Sequence, residues 1–380
     1  MKEFNLENWG KPITRENILV GGMAGETVEA NQKVNIITKY FFTSFESIFD
    51  KISNNIFSLL IPSGGNNRVD NLLAIIKPDN KASIYIDNFP FGIIARAKKS
   101  KEKYSVVHQN EIFDIDAISF SDDVFTPDIA DGDKIVWLFR HNWRFGLFFD
   151  FSGSLIVGEI YKELGHYYKR IVYFDVYNLL EKGTEKIISD GWFPFIQLIG
   201  GEIQQLIDYY EQGQKYTFFI NKILDGYDTN KVKEISNNWW KNNTFQEKRG
   251  IIEAGIDAYF MNTKSGYITS IKTLATEIEG IMRFAYLHDN GQKANSIREL
   301  MQYIERLGSA KYSSQGSLGF PGLFYDYLAK SIFQCFNEEV GNINVGRHSI
   351  AHGITKTDQY TRERAFQLIL TLDQLYFFLS

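Results

Sequence analysis

The sequence predicts an α+β protein with a mainly antiparallel sheet in its N-terminal region, a helical middle and a helical bundle at its C-terminal end. Short β-branched and aromatic runs alternate with turn residues between about residues 70 and 152, which is typical of strands. This pattern fades after Gly158, and apolar residues recur every three or four positions from residue 265 onward. With 380 residues, the chain is long for a single core. We therefore expect a sheet-containing domain over 1–155, a mainly helical connecting region over 156–264 and a helical domain over 265–380.

The strands follow from these short runs, which are bounded by turn-forming residues at 78–80, 131–133 and 141–142. They are predicted at residues 72–76, 83–86, 91–95, 104–107, 112–120, 134–139 and 145–151. In the middle region, residues 203–210 and 250–260 suit helices better than strands. The polar stretch 237–243 around Trp239 and Trp240 predicts a loop or a helix end.

Five segments are predicted in the C-terminal region. A helix over 270–288 is stopped by residues 289–291, and a second over 296–307 is capped by Asn295 or Ser296 and ended by Gly308. A third helix covers 324–340, and a short segment follows at 347–353. Residues 361–379 form the last helix, with Thr361 as its cap and one apolar stripe along its length.

Composition narrows the functional classes. Hydrophobic residues make up 44% and charged residues 23% of the chain, as in ordinary globular proteins. The net charge of the chain is -5, whereas a protein that binds nucleic acid nonspecifically is usually basic. Any contact with RNA should therefore be local. Cys335 is the single cysteine, which excludes an intramolecular disulfide and a multi-cysteine zinc site. We expect no metal and no cofactor.

The chain also lacks the features of a secreted or membrane protein. Its first residues contain no apolar signal segment. Its longest apolar stretches, at 192–200 and 368–379, are too short or too interrupted to cross a bilayer. We expect a cytoplasmic protein with no membrane contact.

One segment combines residue types suited to phosphoryl transfer: Gly346-Arg347-His348-Ser349-Ile350-Ala351-His352-Gly353. It contains an arginine, a polar residue, three further residues and a histidine. This order resembles the motif of the HEPN ribonucleases, and the resemblance extends to a helical bundle of about 115 residues in which the motif lies late. The same spacing occurs at Arg283 and His288, but apolar Phe284 stands at the polar position inside a helical pattern. We interpret that second match as a coincidence.

The chemistry of RNA cleavage explains why an arginine and a histidine are the candidate catalytic residues. Cleavage of RNA by its own 2′-hydroxyl needs a base near neutral pH, a proton donor for the leaving oxygen and cationic donors for the phosphorane. His352 can act as base or acid, and Arg347 can give two hydrogen bonds to a phosphate. Residues five apart point about 140° apart on an ideal helix, so an irregular start is needed for both to reach one phosphate.

The resemblance implies a metal-independent endoribonuclease that works as a homodimer through the C-terminal bundle, with a composite site in which His348 orients or assists. It also implies a role as a toxin or an anti-phage defence effector, with RNA as substrate and with a regulatory partner. Glu277 and Glu279 on the first C-terminal helix are supporting candidates, although an exposed helical carboxylate is the alternative interpretation. Asn344, before the motif, is a third candidate.

Two alternatives remain open. Arg140, Trp143 and Arg144 offer cations and an aromatic ring that could stack on an RNA base, yet their place between two strand-like runs also suits a plain hairpin turn. The bundle could likewise be the scaffold of a non-catalytic dimer that binds RNA or a protein partner, or senses a signal. The two functions differ in one respect, because an RNase requires Arg347 and His352 to converge on an open cleft.

Overall fold

The structure is a computed structural model that describes residues 10–61, 69–87, 89–120, 125–213, 217–334, 346–351, 353 and 355–380. The chain divides into two compact units, and it passes from one to the other more than once. The first unit contains Met1–Arg96 and Ile115–Phe174, and the second contains Ala97–Asp114 and Asp175–Ser380. The middle helices therefore belong to the same unit as the C-terminal helices.

The first unit is built on a six-stranded sheet with the strand order β1-β6-β5-β9-β10-β4 and antiparallel pairing throughout. A pair formed by β2 and β3 and a pair formed by β7 and β8 accompany it. The strands are β1 (Ile13–Arg15), β2 (Met23–Ala24), β3 (Ile36–Ile37), β4 (Lys39–Thr43), β5 (Leu72–Ile76), β6 (Ala82–Ile86), β7 (Gly92–Ala97), β8 (Ile112–Ser119), β9 (Lys134–His141) and β10 (Arg144–Asp150).

Both faces of the central strands are buried, which explains their nearly continuous apolar sequences. On one face, alternate residues such as Leu72, Val136 and Leu147 pack with helix α1 (Phe49–Leu60). On the other face, the ring of Trp137 lies among aromatic side chains that include Tyr168 of helix α2 (Val157–Val172). The sheet is thus covered by a helix on each side.

The second unit is helical. Its α-helices are α3 (Phe174–Ser189), α4 (Ile203–Gln212), α5 (Thr217–Asp225), α6 (Thr229–Trp239), α7 (Asn243–Phe260), α8 (Lys264–Asn290), α9 (Ile297–Lys311), α10 (Pro321–Tyr327), α11 (Arg347–Ala351) and α12 (Arg362–Leu379). A π-helical turn, Leu328–Ile332, follows α10 directly. Helices α7 and α8 form an antiparallel pair, and both also contact α12.

Helix α12 is the centre of this unit, because every residue from 364 to 375 is buried. A helix that is buried on all sides must also satisfy its polar side chains. Gln367 Nε2 donates a hydrogen bond to the carbonyl oxygen of Asp190, and Gln374 Oε1 accepts one from the backbone N–H of Ile196. The indole N–H of Trp239 donates to Asp373 Oδ1 at 2.7 Å. Polar contacts therefore tie α12 to the segments packed around it.

The predicted fold class is confirmed as a mixed α and β protein with an antiparallel N-terminal sheet. Helix α8 ends with Gly291 in the left-handed conformation (φ 68°), as the turn at 289–291 predicts. Ser296 caps α9 and Thr361 caps α12 through their side chains, also as predicted. The region around Trp239 and Trp240 is a helix end, with α7 beginning at Asn243.

Three details of the prediction are wrong. Residues 104–107 form no strand, since Tyr104 has a positive φ and is 92% exposed, without a neighbouring strand. Gly308 does not end α9, which continues to Lys311. A Cβ at Gly308 would lie 3.0 Å from the ring of Phe378, so this glycine allows close packing. The third C-terminal helix begins at Pro321 rather than at residue 324, and residues 335–340 of that prediction lie outside the described residues.

None of the helices in the described ranges is both long enough and apolar enough to cross a membrane.

The packing of α2 on β8 supplies a test of the first unit. A Cβ at Gly165 would lie 2.4 Å from the Cα of Ala117, and backbone atoms cannot move aside as a flexible side chain can. Gly165→Ala should therefore lower the free energy of unfolding by about 1–3 kcal/mol, the usual effect of overpacking. Chemical denaturation measures this change.

The matched control lies in the same helix. A Cβ at Gly158 would meet no atom within 4 Å. Gly158→Ala should leave the stability unchanged or raise it by up to about 1 kcal/mol, because alanine favours helix. Equal stabilities of the two variants would contradict the packing described here.

Candidate functional site: an arginine pair held by Glu279

The motif segment begins a short helix that is held at its start by Ser349. The Ser349 hydroxyl donates to the carbonyl oxygen of Gly346 at 2.9 Å and accepts from the N–H of Gly346 at 3.2 Å. A Cβ at Gly346 would lie 2.9 Å from the carbonyl oxygen of Ile332, so a small residue is needed where the chain enters α11. Ile350 is buried, and α11 packs against α8. These contacts place Arg347 at the first position of the helix.

Arg347 is paired with a buried carboxylate on α8. Its Nε lies 2.7 Å from Glu279 Oε2, and the side chain of Glu279 is 8% exposed. The other oxygen, Oε1, accepts a hydrogen bond from Arg283 Nε, also at 2.7 Å. Glu279 therefore pairs with two arginines, Arg283 and Arg347, that are 64 positions apart in the sequence. We call Arg283 and Arg347 the arginine pair.

The arginine pair has an excess of positive charge. Two guanidinium groups share one carboxylate, and arginine stays protonated at any physiological pH. The side chains of Arg347 and Arg283 keep 36% and 44% of their surface exposed, whereas Glu279 is buried beneath them. A partly exposed cation that is anchored by a buried carboxylate is suited to bind an anionic group such as a phosphate.

A second ion pair joins α7 to α8 at Glu277, which precedes Glu279 by two residues and is therefore about 200° away around the helix. Lys248 Nζ of α7 lies 3.2 Å from Glu277 Oε2 of α8, and it also lies 5.1 Å from the centre of the Phe284 ring. Neither Glu277 nor Glu279 is thus the exposed helical carboxylate that the alternative interpretation expected, since their side chains are 12% and 8% exposed. Both carboxylates hold cations.

The structure gives different information on the other motif residues. His348 is partly buried on α11. His352, Asn344 and Cys335 lie outside the described residues. In the part of the chain that the structure describes, no group of three His, Cys, Asp or Glu side chains is placed to hold a metal ion.

The segment from Arg140 to Arg144 forms the predicted hairpin turn between β9 and β10, in which His141 pairs with Arg144 and Asn142 has a φ of 55°. Arg140 Nη1 lies 2.9 Å from Asp70 Oδ1. The guanidinium of Arg144 lies 4.6 Å from the centre of the Trp143 ring, which is exposed. This turn belongs to the first unit, whereas the arginine pair belongs to the second.

Sequence reasoning missed one residue of the site, Arg283. His288, the histidine of the second match, is exposed, and its Nδ1 lies 3.0 Å from Asp289 Oδ1. Arg283 nevertheless contacts the same carboxylate as Arg347. Its spacing of four residues from Glu279 on a helical pattern was a usable signal for that ion pair. No local signal connects Glu279 to Arg347.

Comparison of the chain with protein-family models, with curated protein sequences and with solved structures found no match.

The shared carboxylate makes a prediction about stability. Glu279→Gln should lower the free energy of unfolding by about 1–3 kcal/mol, below the roughly 3–5 kcal/mol of a fully buried ion pair, because the arginines are partly exposed. In a double-mutant cycle, Glu279→Gln and Arg347→Met should show a coupling energy of about 0.5–2 kcal/mol.

Glu277 supplies the control for this cycle, because it pairs with Lys248 instead of an arginine. Glu277→Gln combined with Arg347→Met should be additive. A coupling energy between Arg347 and Glu279 that is no larger than the one between Arg347 and Glu277 would show that this ion pair does not stabilise the protein.

Proposed function

We propose that the protein is a metal-independent endoribonuclease that cleaves RNA through attack of the 2′-hydroxyl, with Arg347 and His352 as its catalytic residues. The observation that supports this proposal is the anchoring of Arg347, whose guanidinium is held by buried Glu279 beside a second arginine. A cation fixed before the substrate arrives costs little reorganisation when charge develops on a phosphate. The resemblance of the motif to HEPN ribonucleases supports the same proposal.

The reaction needs three functions from the protein. A base, His352, takes the proton of the 2′-hydroxyl, and the oxygen then attacks the adjacent phosphorus. The arginine pair stabilises the charge of the phosphorane. The bond to the 5′-oxygen breaks, and an acid protonates that oxygen. The products are a 2′,3′-cyclic phosphate and a 5′-hydroxyl. His348, on α11 beside Arg347, would orient the substrate or assist the proton transfers.

The second histidine that such a reaction uses would come from a second copy of the chain, since two motifs meet across a dimer in the family that this one resembles. The apolar stripe of α12 is buried inside the unit, so it offers no surface to a second copy. Exposed apolar side chains instead lie on the α7 and α8 pair, at Ile251, Phe284 and Leu287. Phe284 follows Arg283 directly, so we propose that the two copies meet through this face.

An intracellular RNase of this kind would act as a toxin or an anti-phage effector, and it would require control by a partner or a signal. The alternative function is a non-catalytic dimeric protein that binds RNA or a partner. One observation favours it, because a guanidinium already paired to a carboxylate also serves as a purely structural contact. The two proposals differ in whether His352 is needed for any activity on RNA.

The catalytic pair is tested by single substitutions. His352→Ala and Arg347→Ala should each lower the rate of RNA cleavage by about a hundredfold or more, the usual effect of removing an acid, a base or a charge-stabilising donor. If the two residues act as a unit, the double variant should be scarcely worse than either single variant. A gel assay on a defined RNA measures the rates.

His288→Ala is the matched control. His288 follows Arg283 at the same sequence spacing as His352 follows Arg347, and its side chain is exposed. Its rate should stay close to that of the wild type. Full activity in a folded His352→Ala protein, or a loss confined to His288→Ala, would rule out the assignment. RNA binding without cleavage in the wild type would support the alternative function.

Assembly gives a separate test. Light scattering at micromolar concentrations should show a dimer, and Phe284→Glu with Leu287→Glu should shift it to monomer, because charges placed in an apolar interface lose hydration. Phe218→Glu, at an exposed side chain on α5 of the same unit, is the control. A wild-type protein that is strictly monomeric and still cleaves RNA would remove the composite site from the proposal.

A further inference from the structure

The second unit contains a cavity of about 270 Å³ that the proposed RNase site does not use. Three stretches of chain enclose it: the segment 98–111, the turn 197–202 before α4, and one face of α6. The turn can approach the segment because Gly200 has a φ of 75°, and a Cβ there would lie 2.6 Å from the carbonyl oxygen of Gln109. We call this the lysine cavity, after Lys98, Lys99 and Lys231 in its wall.

Two of these lysines are neutralised by glutamates in the same wall. Lys99 Nζ lies 3.1 Å from Glu234 Oε1, and Lys231 is paired with Glu202. The third glutamate, Glu111, pairs with Lys101 at 2.8 Å. Each carboxylate of the wall therefore already has its own cation.

Lys98 is different. Its Nζ donates a hydrogen bond to the carbonyl oxygen of Gln197 at 2.9 Å, and among the described residues no carboxylate lies within ion-pair distance. An ammonium group carries three donors, so the wall satisfies one of them. Burial lowers the pKa of Lys98 to about 8, with Lys231 also lowering it, although Glu202 and Asp373 attract its charge. An anion beside Lys98 would pair with its ammonium charge and raise its pKa again.

The other side chains of the wall indicate the chemistry of the rest of the ligand. His108, Asn110 and Asn238 line the cavity with groups that can donate and accept hydrogen bonds, and Ile235 contributes an apolar surface. The volume lies just below the usual range for small-molecule sites, which is about 300–1,000 Å³. A polar molecule of mononucleotide size or smaller fits these limits.

We propose that the lysine cavity binds a small polar metabolite through an oxyanion, either a phosphate or a carboxylate, that pairs with Lys98. The anion accepts the ammonium donors that Gln197 leaves open. The asparagines and His108 contact the polar remainder of the molecule. The ligand site is separate from the arginine pair, so it can exist whether or not the protein cleaves RNA.

Calorimetric titration of the full chain with four probes tests this proposal: inorganic phosphate, adenosine 5′-monophosphate, adenosine and succinate. Binding of phosphate and the monophosphate alone identifies a phosphate site, and binding of succinate alone identifies a carboxylate site. Either outcome supports the proposal. Adenosine that binds as tightly as its monophosphate, or no binding of any probe up to about 10 mM, would overturn it.

The role of Lys98 is tested by three variants against the best probe. Lys98→Met should weaken binding at least about tenfold, because a charge-assisted hydrogen bond is lost. Lys103→Met, at an exposed lysine of the same segment that does not line the cavity, should change affinity by less than about threefold. Lys98→Arg keeps the charge and should keep affinity within about tenfold of the wild type.

Proton uptake separates this mechanism from simple loss of folding. At pH 8.5, binding to the wild type should take up roughly half a proton or more, because the anion raises the pKa of Lys98. Burial raises the pKa of Asp373 only to about 6, so Asp373 stays charged and does not contribute. Lys98→Arg should bind without uptake. Equal losses of affinity in Lys98→Met and Lys103→Met, or undiminished uptake in Lys98→Arg, would overturn the proposal.

Discussion

The second unit depends on one constraint, which is that α12 is buried on every side. Such a helix must present apolar side chains all around and must give each of its polar groups a partner, because an unpaired buried polar group costs about 1–3 kcal/mol. Gln367, Asp373 and Gln374 receive partners from the segments around α12. Helices α7 and α8 pack against it, so the position of Glu279 on α8 follows from this core.

A buried carboxylate imposes the next condition. Removing the charge of Glu279 from water is unfavourable unless cations lie close by, and the second unit supplies two of them. One comes from the next turn of α8, and the other comes from α11, which is held in place by Ser349 and Ile350. The same contact that keeps α11 on α8 also holds Arg347 partly exposed to solvent. Stability and the proposed phosphate binding thus depend on one ion-pair network.

Much of this fold was predictable from local pattern, and the missed parts have a physical reason. Residues 72–76 and 134–139 form strands because they are β-branched, apolar and bounded by turns, and Ser296 and Thr361 cap helices because their hydroxyls accept from nearby N–H groups. Pattern failed at Tyr104, where no strand among the described residues pairs with the chain, and at Gly308, where glycine allows close packing against Phe378. The joining of Arg283 to Arg347, and the place of residues 98–111 in the second unit, are long-range results that periodicity cannot reveal.

The proposed cleavage of RNA by Arg347 and His352, through attack of its own 2′-hydroxyl, determines the chemical ends of the product. The wild-type protein should be incubated with one defined RNA in the presence of EDTA, and the fragments analysed by mass spectrometry. Cleavage should persist under these conditions and should leave a 2′,3′-cyclic phosphate and a 5′-hydroxyl. Cleavage that stops on chelation and returns with magnesium or manganese, leaving a 3′-hydroxyl and a 5′-phosphate, would contradict it.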